Sequence, residues 1–294
     1  MSLPGLPNLL ALAALVAATA LAPLSVGLLL GVDRRVTAAM QLRAGPPILQ
    51  PWYDLTKLAT KTSLPVDRLA ASLLVAHVVL AAGAVALVLA GGDLIAAVLV
   101  MGAARVLFIL AAGAVESPYA QLGASRELIL LLISEPLLLL VAIAYGGVAG
   151  SFSAAAVAAA QAPVLTLPTL GLTLGVLLAI ALRKSPFDLA TSHHAHQELV
   201  KGSTTEMAGF WLALAEVGHW YETAFVLVLI ALASLAAPLV GIGLVAATYT
   251  VAIVADNTLP RATWRSALWI GWGIGGTAAV IALVTGRLFG AGGL

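Results

Sequence analysis

The chain has no cysteine among its 294 residues. It can therefore supply no thiolate to an iron–sulfur cluster, a zinc ribbon or a disulfide. Any redox metal centre that it serves must lie on another subunit. Charge is nearly as scarce. Asp, Glu, Lys and Arg make up 9% of the residues, where a soluble domain carries roughly 25%. That excludes the soluble enzyme classes, and a net charge of only +1 gives no electrostatic case for nucleic acid. No Lys or Arg precedes the first apolar stretch, Leu3 to Val32. The stretch also exceeds the roughly 7–15 residues of a signal-peptide core, so a first transmembrane helix is expected rather than a cleaved signal.

What fills the chain is apolar: 62% of residues are hydrophobic and mean hydropathy is +1.08. Runs of about 20 apolar residues are long enough to cross a bilayer. They predict an all-α, polytopic membrane protein with about eight transmembrane helices and one amphipathic surface helix, in a single membrane domain. The expected spans are 6–31, 68–90, 94–115, 126–147, 164–182, 210–235, 238–255 and 265–289. Of the 14 basic residues, all but Arg105 and Arg287 fall in or beside segments 32–67, 116–125, 183–209 and 256–264. The positive-inside rule then puts those segments in the cytoplasm and both termini outside the cell membrane. Within the first of them, "ILQPWYDLTKLATK" spaces Ile48, Leu49, Trp52, Leu55 and Leu58 for one helical face, with Asp54 and Lys57 elsewhere on the surface. This is an amphipathic helix lying on the membrane or under a partner.

A charge inside a span costs on the order of 3 kcal/mol at mid-membrane and needs a partner or a hydrated path. Arg105 sits in the third span, and Glu135, followed by Pro136, in the fourth. In the sixth, Glu216, His219 and Glu222 recur every three residues, so His219 is expected to neighbour both acids. Interhelical hydrogen bonds would account for one such residue; a string of titratable groups suits proton relay. The candidate path residues are Arg105, Glu116, Glu135, Glu216, His219 and Glu222. "EVGH" contains Glu-x-x-His, but a di-iron bundle needs a second copy and the chain has none.

The most polar stretch, "RKSPFDLATSHHAHQELVKGSTTE", holds three of the five histidines. His193 and His194 are adjacent and would diverge on a regular backbone, and no recognised metal spacing is present. No metal site is expected there, and no nucleophile–base pair is legible. Pro186 disfavours a helical Ser185, and the polar face that follows suits docking. The expected docking set is Asp54, Lys57, Arg126, Arg183, Lys184, Asp188, His193, His194, His196, Glu198 and Glu206.

"SPFDLA…QELVKG…TEMAG" resembles the signature loop of the H-type membrane subunit of respiratory complex I. "GPPILQPWYDLTKLATK" and "GASRELILLLISEPLLL" are similar to two further segments of that family, in the same order along the chain. Within the superfamily, "RKSPFDLATSHHAHQELVKG", "ALAEVGHWYE" and "DNTLPRATW" resemble the membrane subunit of Ech-type energy-converting nickel–iron hydrogenases. The resemblance implies a non-catalytic membrane anchor with no cofactor of its own. The partners it implies are hydrogenase large and small subunits, a polyferredoxin-like subunit and an antiporter-like membrane subunit. The nickel–iron centre and iron–sulfur clusters would belong to those partners. Electrons would pass between ferredoxin and protons, driving proton or sodium translocation. Two departures from the complex I pattern separate the branches. Ala181 lies in a stretch where complex I carries an acid, and "ATSHHAHQ" replaces an acid-rich segment bordering the quinone chamber.

The alternatives are the H-type subunit of a quinone-reducing complex I, the membrane subunit of formate hydrogenlyase, a stand-alone secondary transporter and a passive anchor. A transporter would be expected to show paired broken helices in two symmetric halves, which are not visible. The orientation is directly testable. Single cysteines placed in segment 183–209 should resist an impermeant thiol reagent on intact cells and react once the membrane is opened. Ready labelling of intact cells would reverse the topology.

Overall fold

The computed structural model describes residues 6–62, 67–160, 163, 167–189, 202–234 and 238–290. His193, His194, His196 and Glu198 lie outside them. Among the described residues the chain is helical, with no strand beyond an isolated bridge between Asp93 and Ser153. Seven helices among the described residues are long and apolar enough to cross a membrane.

Helix α1, Leu6–Met40, continues past the expected end of the first span, carrying Asp33 and Arg34 out on its last turns. A short helix α2, Gln50–Thr60, follows with Pro51 in its first turn, where a missing N–H is harmless. It lies within the amphipathic segment expected from the sequence. Trp52 meets Trp220 edge to face at 5.2 Å, and Arg34 ties α1 to Asp54 at 2.7 Å. Gly31 permits the close approach, because a Cβ there would collide with the carbonyl oxygen of Ile48.

Helices α3, Arg68–Leu89, and α4, Leu94–Gly113, form a tight hairpin. Asp93 caps α4 by accepting the Ala96 N–H at 2.8 Å, and buried Ala81, Ala84, Ala97 and Ala104 keep the packing surfaces small. Helix α5, Pro118–Ala149, starts earlier than the expected span at 126. Pro118 supplies the preset φ of a first helical position, so the loop expected over 116–125 contracts to the link 114–117. The helix runs on through Pro136 and ends at Gly150, whose φ is +68°. A short α6, Ala154–Ala159, lies at the end of the bundle that also holds the α3–α4 turn.

Of the fifth expected span, 164–182, residues 164–166 lie outside the described residues. Helix α7, Leu170–Ala181, has 12 residues and is about 18 Å long at 1.5 Å per residue, short of a hydrocarbon core about 30 Å thick. Helix α8, Phe210–Leu232, is the most enclosed of the long helices, contacting α1, α2, α3, α7 and α9. Helix α9 spans Pro238–Thr258. The last span consists of α10, Trp264–Ile270, a π-helical turn over Gly271–Gly276, and α11, Thr277–Gly290. The π turn seats Gly271 against Ile133, and its Gly275 carbonyl accepts the Thr173 hydroxyl at 2.8 Å.

Partial burial pushes the Asp54 carboxyl up, but hydrogen bonds from Arg34 and Gln50, with the charges of Arg34 and Lys57, outweigh it and hold the group below its ordinary 3.8. The depressed value means that the pairing stabilises α2 above about pH 4 and is lost as pH falls through the folded-state pKa. Relative to the intrinsic rate at each pH, amide protection over 50–60 should fall by up to about fivefold on acidification, the scale of an exposed ion pair. Asp54→Asn should show the lower protection at neutral pH, with no further step in acid.

Candidate functional site: a buried chain of charges

At the end of α7 the chain turns with Arg183 at φ +53°, a left-handed conformation that costs a non-glycine residue about 1–2 kcal/mol. The N–H groups of Arg183 and Lys184 bond back to the carbonyls of Ile180 and Ala179 at 3.0 and 3.1 Å, closing the helix as glycine usually does. Arginine stands there because its side chain is used. Its Nη2 lies 2.7 Å from Glu127 Oε1 on α5 and 3.0 Å from His219 Nδ1 on α8. The guanidinium also sits over the Phe108 ring at 5.7 Å.

A second set of ion pairs holds this turn in place. Lys184 Nζ reaches Asp33 on α1 and Asp256 on α9, both at 2.9 Å. Asp256 also accepts the Ser185 N–H at 2.9 Å. Arg261 pairs with Asp188 at 2.7 Å, and the Ala262 N–H donates to the Pro186 carbonyl at 3.1 Å. The Ser185–Pro186 peptide bond is cis. Segment 183–189 is thereby clamped between α1 and the α9–α10 link.

From Arg183 the charged groups continue into the bundle. His219 Nδ1 is 3.7 Å from Glu222 Oε1 one turn further along α8. Glu222 Oε2 is 3.9 Å from Arg105 Nε on α4, and Arg105 donates a hydrogen bond to Ser134 Oγ on α5. Beside Ser134, Glu135 presses its carboxylate against Gly102, one turn from Arg105, where a Cβ would overlap it. Neither Glu135 oxygen has a hydrogen-bond partner among the described residues. The chain Glu127–Arg183–His219–Glu222–Arg105–Ser134/Glu135 starts near one end of α5 and returns to that helix about 12 Å further along. A cavity of about 20 Å³ lies between Arg105, Ser134, Glu222 and the apolar side chains of Leu177 and Phe225, enough for one water.

His77 on α3 joins the same group and is fully buried. Its Nδ1 is 2.8 Å from the Ala104 carbonyl. A carbonyl only accepts, so Nδ1 carries the hydrogen and Nε2 presents a lone pair when the ring is neutral. That Nε2 is 3.9 Å from Glu222 Oε1. Gly218 gives it room, since a Cβ there would collide with Nε2.

His77, His219 and Glu222 offer ligand atoms within 4.8 Å of one another, a donor set that would suit a transition metal. The surroundings argue against one. Arg183 occupies the Nδ1 lone pair of His219, and Arg105 stands beside the carboxylate. Two guanidinium ions at these positions oppose a further cation.

Of the residues expected on a path, Arg105, Glu135, His219 and Glu222 come together. Glu116 does not; it is exposed in the α4–α5 link. Glu216 is half-buried and makes no hydrogen bond or ion pair with a described residue, so the expected ladder has Glu222 alone as its carboxylate. Of the docking set, Lys57 and Glu206 are exposed, and exposed Arg126 bonds to the Leu189 carbonyl at 3.1 Å. Arg183, Lys184 and Asp188 are buried in the networks above. The sequence reading passed over His77, Glu127, Asp33 and Asp256. An ionisable residue inside an apolar span was the available signal for His77.

Such an all-α bundle with ionisable groups enclosed between its helices defines the class: a polytopic membrane protein. Residues 12–286 match the family model described as NADH dehydrogenase. The chain belongs to that family and is a complex I-like membrane subunit. Among solved structures it is similar to a chain in the membrane-bound sulfane sulfur reductase, an archaeal respiratory membrane complex. The TM-score is 0.76 at 23% identity, over 92% of this chain and 98% of that one. The search of curated proteins found no match.

Removing one partner of a buried ion pair leaves the other charge stranded, at a cost of about 3–5 kcal/mol. Arg183→Ala should lower stability in detergent by that amount, and Arg183→Ala with Glu127→Gln should recover part of it. Losses in Arg183→Ala and Glu127→Gln that simply add in the double variant would mean that the pair is not coupled.

Proposed function

We propose that this chain is the membrane anchor and proton-path subunit of a membrane-bound energy-converting hydrogenase. In this reading it couples ferredoxin-linked hydrogen evolution or oxidation to proton or sodium translocation. The observation that carries it is the set of enclosed charged groups running from Glu127 and Arg183 through His219 and Glu222 to Arg105 and Ser134, with Glu135 beside them. Each member is costly in an apolar bundle, and a string of titratable groups suits proton relay. The hydrogenase assignment is supported by the loop wording from Arg183 onward and by the "ALAEVGHWYE" span. Segment 183–209 and α2 would face the cytoplasm and carry the electron-transferring arm. The nickel–iron centre and the clusters would reside in that arm, because this chain has no thiolate to offer.

One observation favours a second reading. The similar solved structure belongs to a complex that reduces sulfane sulfur, and the same membrane role could serve such an arm. Purification of the intact complex followed by metal analysis separates the two: nickel with iron supports the hydrogenase, and iron without nickel the sulfur-reducing complex.

The path is tested in the complex reconstituted into vesicles. Glu222→Gln and Glu135→Gln keep shape and hydrogen bonding but remove the exchangeable proton. Each should lower ion uptake per electron pair by about tenfold or more, while dye-linked electron transfer in the arm continues. Full uptake in both variants would reduce the subunit to an anchor.

A further inference from the structure

Glu222 is buried, yet every charged neighbour among the described residues stands back from its carboxylate. His219 Nδ1 is at 3.7 Å, His77 Nε2 at 3.9 Å and Arg105 Nε at 3.9 Å. Hydrogen bonds of this kind close at about 2.7–3.2 Å, so the carboxylate is committed to neither side. It lies between an imidazole on α3 and a guanidinium on α4, each 3.9 Å from a different oxygen. The cavity of about 20 Å³ beside Arg105 and Ser134 leaves room for a small shift.

His77 is built differently from His219. The Ala104 carbonyl holds its Nδ1–H at 2.8 Å, so a proton gained by the ring must go on Nε2, the nitrogen facing Glu222. At His219 the direction is reversed: Arg183 donates to Nδ1, leaving His219 as a donor through Nε2 alone. We propose that His77 is a positioning residue that acts as a proton-operated switch for Glu222. With His77 neutral, the carboxylate belongs to Arg105. With a proton on Nε2, His77 draws the carboxylate to itself and frees Arg105 for Glu135, whose oxygens have no other hydrogen-bond partner among the described residues. The proton can then pass from Nε2 to Glu222 Oε1, returning His77 to its neutral tautomer with nothing else consumed. Facing the ring are Glu222 and His219 from α8, Arg183 from the turn after α7 and Phe108 from α4, with Arg105 adjoining the carbonyl that holds Nδ1. Glu222 favours the charged ring, and the two guanidinium groups oppose it. Alignment of the carboxylate with one side or the other therefore follows a single proton.

The inference rests on the proton-path reading, and its test separates the two. His77→Asn keeps a donor for the Ala104 carbonyl and deletes Nε2. In vesicles containing the whole complex, ion uptake per electron pair should step with pH in the native protein. The step should be absent in His77→Asn, with dye-linked electron transfer unchanged. Glu222→Gln should lose uptake at every pH. A wild-type pH step surviving in His77→Asn, or no step in the native complex, overturns the switch even when Glu222→Gln behaves as expected. Retained uptake in Glu222→Gln overturns the path itself. If His77→Asn fails to insert, infrared difference spectra of the native complex across the pH range decide the matter. A carboxylate band should shift in the native protein and not in Glu222→Gln, and no shift in the native protein overturns the proposal.

Discussion

A guanidinium enclosed in an apolar bundle must be paired, and the rest of the site depends on how that requirement is met at Arg183. Glu127 neutralises it at 2.7 Å and His219 takes a second N–H at 3.0 Å. That arrangement fixes the tautomer of His219 and the register of α5, α7 and α8 against one another. It also explains a backbone choice. A left-handed residue at a helix terminus is ordinarily glycine, and the cost of arginine there is offset by the contacts its side chain makes. Such sites of local strain tend to coincide with function.

The rim pairs have a different part. Lys184 between Asp33 and Asp256, and Arg261 with Asp188, join α1, segment 183–189 and the α9–α10 link. They hold the turn that delivers Arg183 to the interior. The outer surface at this end keeps α2, pinned by Trp52 and Asp54, and the exposed charges Lys57, Glu206 and Arg126. Buried charges therefore set internal geometry, while the exposed ones face outward at this end. The described members of the docking set expected from the sequence divide along that line.

Small residues make the interior chain possible. Gly218 admits His77, Gly102 admits the carboxylate of Glu135, and the alanines of α3 and α4 bring those helices close. Without a hydrophobic driving force between helices in lipid, close packing and interhelical polar contacts provide the association. The same small side chains that bring the helices together leave space for ionisable groups between them.

The sequence by itself determined the membrane class, the long spans, the amphipathic α2 and the absence of thiolate chemistry. Apolar run length, helical spacing and residue identity are local quantities. It also marked Arg105, Glu135, His219 and Glu222, because a charge in an apolar run is visible without any fold. Local spacing misled where a helix end was concerned: α5 starts at Pro118. It misled again at Glu216, which shares a helix face with His219 in the pattern but makes no ion pair with it. Only the tertiary structure decided that His77, Glu127 and Arg183 belong with Glu222. These residues come from α3, α5 and the turn after α7, and their meeting depends on which helix faces pack together. Desolvation penalises a charge wherever it is buried, but the partner that relieves the penalty is chosen by three-dimensional packing, which one-dimensional spacing does not encode.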